Sequence, residues 1–392
     1  MRWLFRNPGD GEEARARAEV DAKIDRWWRT FAGRAGSLDA LFHRREEWNL
    51  PEWMAENLQA IDSRLCWEFG QAAKGSGHRL VITPESDREL RPMIRTLLER
   101  APRLNGWEFY AHRLPEGVEE AVASVKGRTG GDLSGVLVRP QIGENNRIDL
   151  CFHSPRCVRA GDRQTRNDGF VAAETLLGEE VWDIWIGAME AEPMPKQISG
   201  LLPLERLAPT VTALIESIRS QLNDRPLWDI DFRTAEREWS GFKFEPPEQE
   251  DYARRTDLLI GITPYPGMFK STFSGASFYS SRFSRFGETF CYLKIDGAEG
   301  LDPRHFKDRA EVEDALDARL VPSRLGRTIG GGTGRRYSYI ELALVDIPKS
   351  ISTLRDVLRK GNIPKRTWLL FHDAELADEW VGMWDDTPAP PV

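Results

Sequence analysis

The stretch from Glu288 to Asp373 constrains the fold most tightly, because its apolar spacing switches cleanly between the period of a strand and that of a helix. Phe290 to Ile295 has strand character, and Val312, Ala315, Leu316 and Leu320 then form a helical stripe. Gly326 to Gly331 and Tyr337 to Val345 give two further strands. Ile351, Leu354, Val357 and Leu358 mark a second helix, with Ser350 as N-cap, Gly361 beyond its end and Pro364 as the stop. Thr367 to Phe371 supplies the fourth strand. The order βαββαβ with loops of these lengths is the split βαβ arrangement. It predicts a ferredoxin-like domain over residues 288–378, followed by a tail at 379–392.

In that arrangement the first and third strands are central, and their side chains alternate between a helix-covered face and an open one. Ser338, Ile340, Leu342 and Leu344 are expected to face the helices. The open face then receives Phe290, Tyr292, Lys294, Tyr337, Tyr339 and Glu341, with Arg335 and Arg336 beside them. These eight residues are the candidate binding surface. Aromatic and basic groups on a central sheet are what RNA-binding sheets use to stack bases. The chain lacks the consensus of such sheets, and its formal charge of -8 opposes broad nucleic-acid binding. A bare aromatic face promotes association, so this one is expected to be covered by protein. Removing the Glu341 side chain is expected to cost well under about 1 kcal/mol unless its carboxylate is buried at an interface with a partner.

Upstream, residues 1–63 form a helical segment in which Val20, Ile24, Trp27, Trp28 and Phe31 make one apolar stripe. Trp27, Trp28, Trp48 and Trp53 are read as packing residues for the domain that follows. Residues 64–223 alternate short strands and helices in the order ββαβαββαβ, an elaborated two-layer α+β sandwich. One helix starts near Arg91 with Pro92 in its first turn. A hairpin joins Val136 to Ile142 with Arg147 to Ser154, and a helix from Gly169 to Leu177 leads to a last strand over Val181 to Glu190. Residues 224–287, with Pro246-Pro247 and Pro264-Tyr265-Pro266, read as an irregular connecting segment. The fold class is therefore α+β, in several domains.

Chemical motifs are sparse. Gly330 to Gly334 are followed by a strand and carry no Gly-Lys-Ser/Thr ending, so they read as a hairpin tip rather than a phosphate loop. The six histidines have no metal spacing, although alternation could set His112 and His153 beside Glu108 or Asp149. Cys151 and Cys157 are separated by five residues, which is not a common zinc spacing, and there is no matching second pair. The four cysteines read as buried, reduced thiols. No Gly-x-Ser-x-Gly elbow is present. No catalytic residue, metal or cofactor is assigned on these grounds. Met1 to Phe5 is too short for a signal-peptide core, and no apolar run approaches the roughly 20 residues that cross a bilayer, so a cytoplasmic protein away from the membrane is expected.

Ile329-Gly-Gly-Gly-Thr-Gly-Arg-Arg-Tyr-Ser-Tyr-Ile-Glu-Leu-Ala-Leu344, with Gly287 to Lys294 and Thr367 to Phe371, resembles a segment of an uncharacterised bacterial protein family. In that family an N-terminal α+β region precedes this C-terminal segment. The resemblance implies a bacterial setting and transfers no catalytic residue. The expected function is a non-catalytic protein-interaction or regulatory role, with a protein partner or self-association. The alternative is an enzyme or a nucleotide- or RNA-binding protein with its site between the two α+β domains. No small-molecule ligand is assigned.

Overall fold

The computed structural model describes residues 1–7, 9–230, 232, 238–298 and 300–391. The chain divides into two compact units, residues 18–221 and residues 1–17 with 222–392.

The 18–221 unit holds most of α1 (Gly11–Phe42) and then α2 (Leu50–Asn57), where Asn49 caps the first turn by accepting the Glu52 amide. Three strands follow, β1 (Cys66–Gln71), β2 (His78–Thr83) and β3 (Trp107–Tyr110), in that order in one sheet. Between the parallel β2 and β3 runs α3 (Arg91–Glu99), with Pro92 in its first turn, where no amide is missed. The aromatic stripe of α1 packs within this unit. Trp27 meets Trp53 at 5.4 Å between ring centres, and Trp28 stands edge-on to Phe109 at 4.8 Å while its indole N–H donates to the Leu97 carbonyl.

Next come α4 (Val118–Thr129), β4 (Leu137–Ile142), β5 (Ile148–Ser154), α5 (Arg163–Leu177), α6 (Glu179–Trp185), β6 (Ile186–Pro193), β7 (Leu202–Pro203) and α7 (Leu207–Gln221). The four strands form a sheet in the order β6-β5-β4-β7, and Val138, Leu150 and Phe152 are buried with Ala121, Val171, Leu176 and Val211 of the helices. The strand expected over Val181 to Glu190 is corrected, since its first half is helix α6. Gly178, at φ 75°, ends α5, and Glu179 and Glu180 then occupy a new first turn, where the helix dipole favours carboxylates. The run from Val181 to Ile186 is apolar except for Asp183, so it carries no period that separates helix from strand.

The second unit contributes β8 (Ser240–Lys243), β9 (Leu258–Thr263), α8 (Pro266–Ser274), β10 (Thr289–Asp296), α9 (Arg309–Leu320), β11 (Gly326–Gly334), β12 (Tyr337–Leu344), α10 (Ile347–Lys360), β13 (Thr367–Phe371) and β14 (Trp380–Gly382). Its strands form one antiparallel sheet of seven in the order β14-β13-β10-β12-β11-β9-β8. The expected free-standing four-stranded domain is thus replaced by a larger sheet. Residues 224–287, read from sequence as an irregular connection, supply β8, β9 and α8. β8 is only four residues long, too short for alternation to stand out.

One face of the sheet is covered by α9 and α10, where Leu293, Ile340, Leu342 and Leu344 are buried with Val312, Leu316, Leu354 and Leu358. The start of α10 is also corrected. Its N-cap is Asp346, which accepts the Lys349 amide, while Ser350 is buried and donates its hydroxyl to the Val345 carbonyl at 2.7 Å. The glycine run is not a hairpin tip: Gly331 and Gly332 lie inside β11, paired on one side with Ile340 and Tyr339 and on the other with Ile262 and Gly261.

Candidate functional site

The face of β10 and β12 turned away from the helices does not reach solvent. Phe290, Tyr292, Lys294, Tyr337, Tyr339 and Glu341 are each no more than 3% exposed. Residues 224–287 supply the cover: Tyr265, Met268, Phe278 and Phe283 cluster with Phe290, and Tyr252, Leu258 and Phe269 with the three tyrosines.

Under this cover lies a network of paired charges. Arg255, wholly buried, donates to one carboxylate oxygen of Glu341 and to the Thr272 hydroxyl at 2.6 Å. The other Glu341 oxygen lies 2.7 Å from His372 Nε2. Burial raises the Glu341 pKa, but the Arg255 charge and then His372 bring it below the ordinary carboxylate value. Burial, with Arg255 behind it, lowers the His372 pKa. The arrangement is therefore an ion pair with a neutral imidazole donating to the same carboxylate.

Lys294 Nζ donates to the Tyr252 carbonyl and sits 3.9 Å from the centre of the Tyr337 ring. Burial lowers its pKa to about 8. Asp257 accepts the Arg336 and Tyr337 amides, each at 2.9 Å, and the Tyr339 hydroxyl, whose pKa is raised by burial and by that carboxylate. At the β11–β12 turn, Arg335 stays exposed and donates to the Pro246 carbonyl at 2.9 Å. Arg336 pairs with Asp296 at 2.9 Å and shares it with Arg366. The eight residues singled out from sequence are thus neighbours, but six of them face inward. Sequence reasoning missed Arg255 and Asp257, which sit in a charged run with no period, and passed over His372, which follows β13 directly. These groups face one another, which fits them to hold the cover onto the sheet.

Two exposed apolar side chains lie on the opposite side of the same sheet. Residues on β9 alternate, and Ile260 and Ile262 point to the helix-bearing face, where they are 59% and 43% exposed. α9 packs over β11 and β12. Between α9 and β9 runs a groove of 380 Å³, with Gly330, Gly331 and Ile262 along its floor, Arg309 and Glu313 on one wall and Trp239 at its rim. Its two floor glycines bring no side chains to fill it. A Cβ on Gly330, at φ 138°, would lie 2.3 Å from the Ile262 carbonyl oxygen, and one on Gly331 would lie 2.6 Å from that of Tyr339. Burial raises the Glu313 pKa, and Arg309 holds the carboxylate at 2.9 Å.

A second cleft, of 260 Å³, lies in the 18–221 unit around Arg113. Its charges are consumed internally, since Arg113 pairs with Glu68, Glu85 and Glu174, and Arg128 with Glu174.

No protein-family model, curated protein or solved structure matches the chain. Among the described residues, no helix is long and apolar enough to cross a membrane.

Proposed function

We propose that the chain is a non-catalytic protein-interaction module that receives an amphipathic helix of a partner protein in the groove beside α9. The observation that carries this reading is the pair of uncovered isoleucines, Ile260 and Ile262, on a sheet face otherwise roofed by helices. Strands lie about 4.8 Å apart, so β9 and β8 together leave a strip about 10 Å wide, which is the diameter of one helix with its side chains. A helix laid there would pack as a third member of the layer, its apolar stripe on Ile262 and Trp239 of the groove and on the exposed Ile260 beside it, and its polar side toward Arg309 and Glu313. We read the central β13-β10-β12-β11 order, with α9 and α10 on one face, as a ferredoxin-like unit enlarged at both edges. That enlargement is what creates the unroofed strip. The setting in this reading is a bacterial cytoplasm.

The test is a photo-crosslinking residue placed at position 260 in cells of the native host, with position 158 as control because Val158 is 85% exposed in the other unit. The reading requires a discrete heterologous adduct at 260 that is absent at 158 and lost when Ile262→Asp is added. Adducts only between copies of the chain, or none, would overturn it.

A further inference from the structure

The four-stranded sheet of the 18–221 unit has its hydrophobic side under α4, α5 and α7. On its other side, alternation along β5 sets Cys151 and His153 on one face. The parallel neighbour β6 places Glu192 directly across from His153, and β4 places Arg139 across from Cys151. We propose that Cys151, His153 and Glu192 bind one borderline transition-metal ion of the Zn²⁺ class.

Three observations carry this. The Cys151 thiol sulfur, a ring nitrogen of His153 and a carboxylate oxygen of Glu192 all lie within 4.8 Å of one another. Tetrahedral zinc, with bonds of about 2.0–2.3 Å, needs its donors about 3.3–3.8 Å apart, so the gap closes by roughly 1 Å of side-chain movement. Glu192 is 42% exposed, and its 3.8 Å contact with the exposed Arg139 is long enough to yield to that movement.

The second observation is the state of the imidazole. His153 is 1% exposed, and its Nδ1 lies 3.1 Å from the Pro193 carbonyl, which fixes the proton on Nδ1. Nε2 is then a buried lone pair, and it has no hydrogen-bond partner. Metal-binding histidines are commonly held in this way, one nitrogen donating to a carbonyl and the other left as ligand. Nδ1 is also the nitrogen that lies 3.9 Å from Glu192 Oε2, so Nε2 takes up a ligand by a small rotation of the ring.

The third is the donor set itself. Thiolate, imidazole and carboxylate together suit Zn²⁺ and Co²⁺ better than Mg²⁺ or Ca²⁺, which take oxygen alone. Metal binding must displace the thiol proton. Cys157 stands outside the set, its sulfur 3.1 Å from the Arg159 carbonyl, so the fourth position is left for water or an added ligand. A second cluster in this unit, Asp39, His43 and His78, is more exposed and already bonded within itself, with His78 Nε2 2.9 Å from Asp39. It serves as the internal control.

The experiment titrates Co²⁺, then Zn²⁺, into the full-length, reduced and chelator-treated protein, and reads the near-ultraviolet thiolate-to-cobalt charge-transfer band. The proposal requires one Co²⁺ per chain with that band, displaced by Zn²⁺, retained in Cys157→Ser and in His43→Gln, and lost in Cys151→Ser. Glu192→Gln, at a half-exposed position that does not threaten folding, should weaken binding about tenfold or more. Absence of stoichiometric binding, a band that survives Cys151→Ser, or binding lost in His43→Gln would each overturn the proposal.

Discussion

Arg255 and Glu341 form an ion pair in which neither side chain has any solvent-exposed surface. One residue comes from the segment that covers the sheet and the other from the central strand β12, so the pair fastens cover to sheet where the charges cannot be screened by salt. Removing either partner leaves a buried, uncompensated charge, which is costly whatever the net worth of the intact pair.

Glu341→Ala should therefore destabilise the second unit by about 3–5 kcal/mol, well above the expectation from sequence alone. Leu342→Ala, on the helix face of the same strand, should cost about 2–5 kcal/mol through lost burial and a residual cavity. Urea denaturation of the full chain checks both. A loss at Glu341 below about 1 kcal/mol would mean the carboxylate is not held by Arg255 in solution.

The carboxyl group of Asp373 has its pKa raised to about 6 by burial, against the hydrogen bonds it accepts from Ser280. The folded state thus binds this proton more tightly than the unfolded chain. Its contribution to stability is complete below about pH 4 and is lost as the pH rises through about 6, amounting to about 3 kcal/mol. Asp373→Asn should flatten the stability profile between those values. Denaturation midpoints collected across that range provide the check, and an unchanged slope in the variant would contradict the assignment.

Lys294 shows the opposite sign. Burial lowers its pKa to about 8, so the stability linked to the neutral amine is present above the unfolded value near 10.4 and is lost as the pH falls through about 8. Lys294→Met, which keeps the length of the side chain without the charge, should be neutral within about 1 kcal/mol or stabilising at pH 7. A loss of more than about 2 kcal/mol would show instead that the ammonium's contacts with Tyr252 and Tyr337 outweigh its desolvation.

Local patterns carried the elements whose partners are close in sequence. Ile340, Leu342 and Leu344 declare a half-buried strand by alternation, and Leu354 and Leu358 declare a helix by spacing. Trp27 and Trp28 pack as read, because a stripe on one helix is a local property. The cover over the sheet was not legible in the same way. Arg255 and His372 reach Glu341 from 86 and 31 positions away, and nothing in a charged run announces which charge will be buried. Gly331 looked like a turn because glycine usually marks one, whereas here it allows close approach between strands and under α9. Cys151, His153 and Glu192 meet only because β5 and β6 pair in parallel, a register that no spacing within one strand discloses.

The groove beside α9 is the central claim, and a binding titration tests it most directly. The helical segment of the partner crosslinked at position 260, made as a synthetic peptide, is titrated into the full chain and into Ile260→Asp, Ile262→Asp and Val158→Asp. Ile260 and Ile262 are already exposed, so their aspartate variants should keep the unfolding midpoint of the parent chain. Each of them should weaken binding by about tenfold or more, with Val158→Asp unchanged. Equal affinity for all four proteins would contradict it.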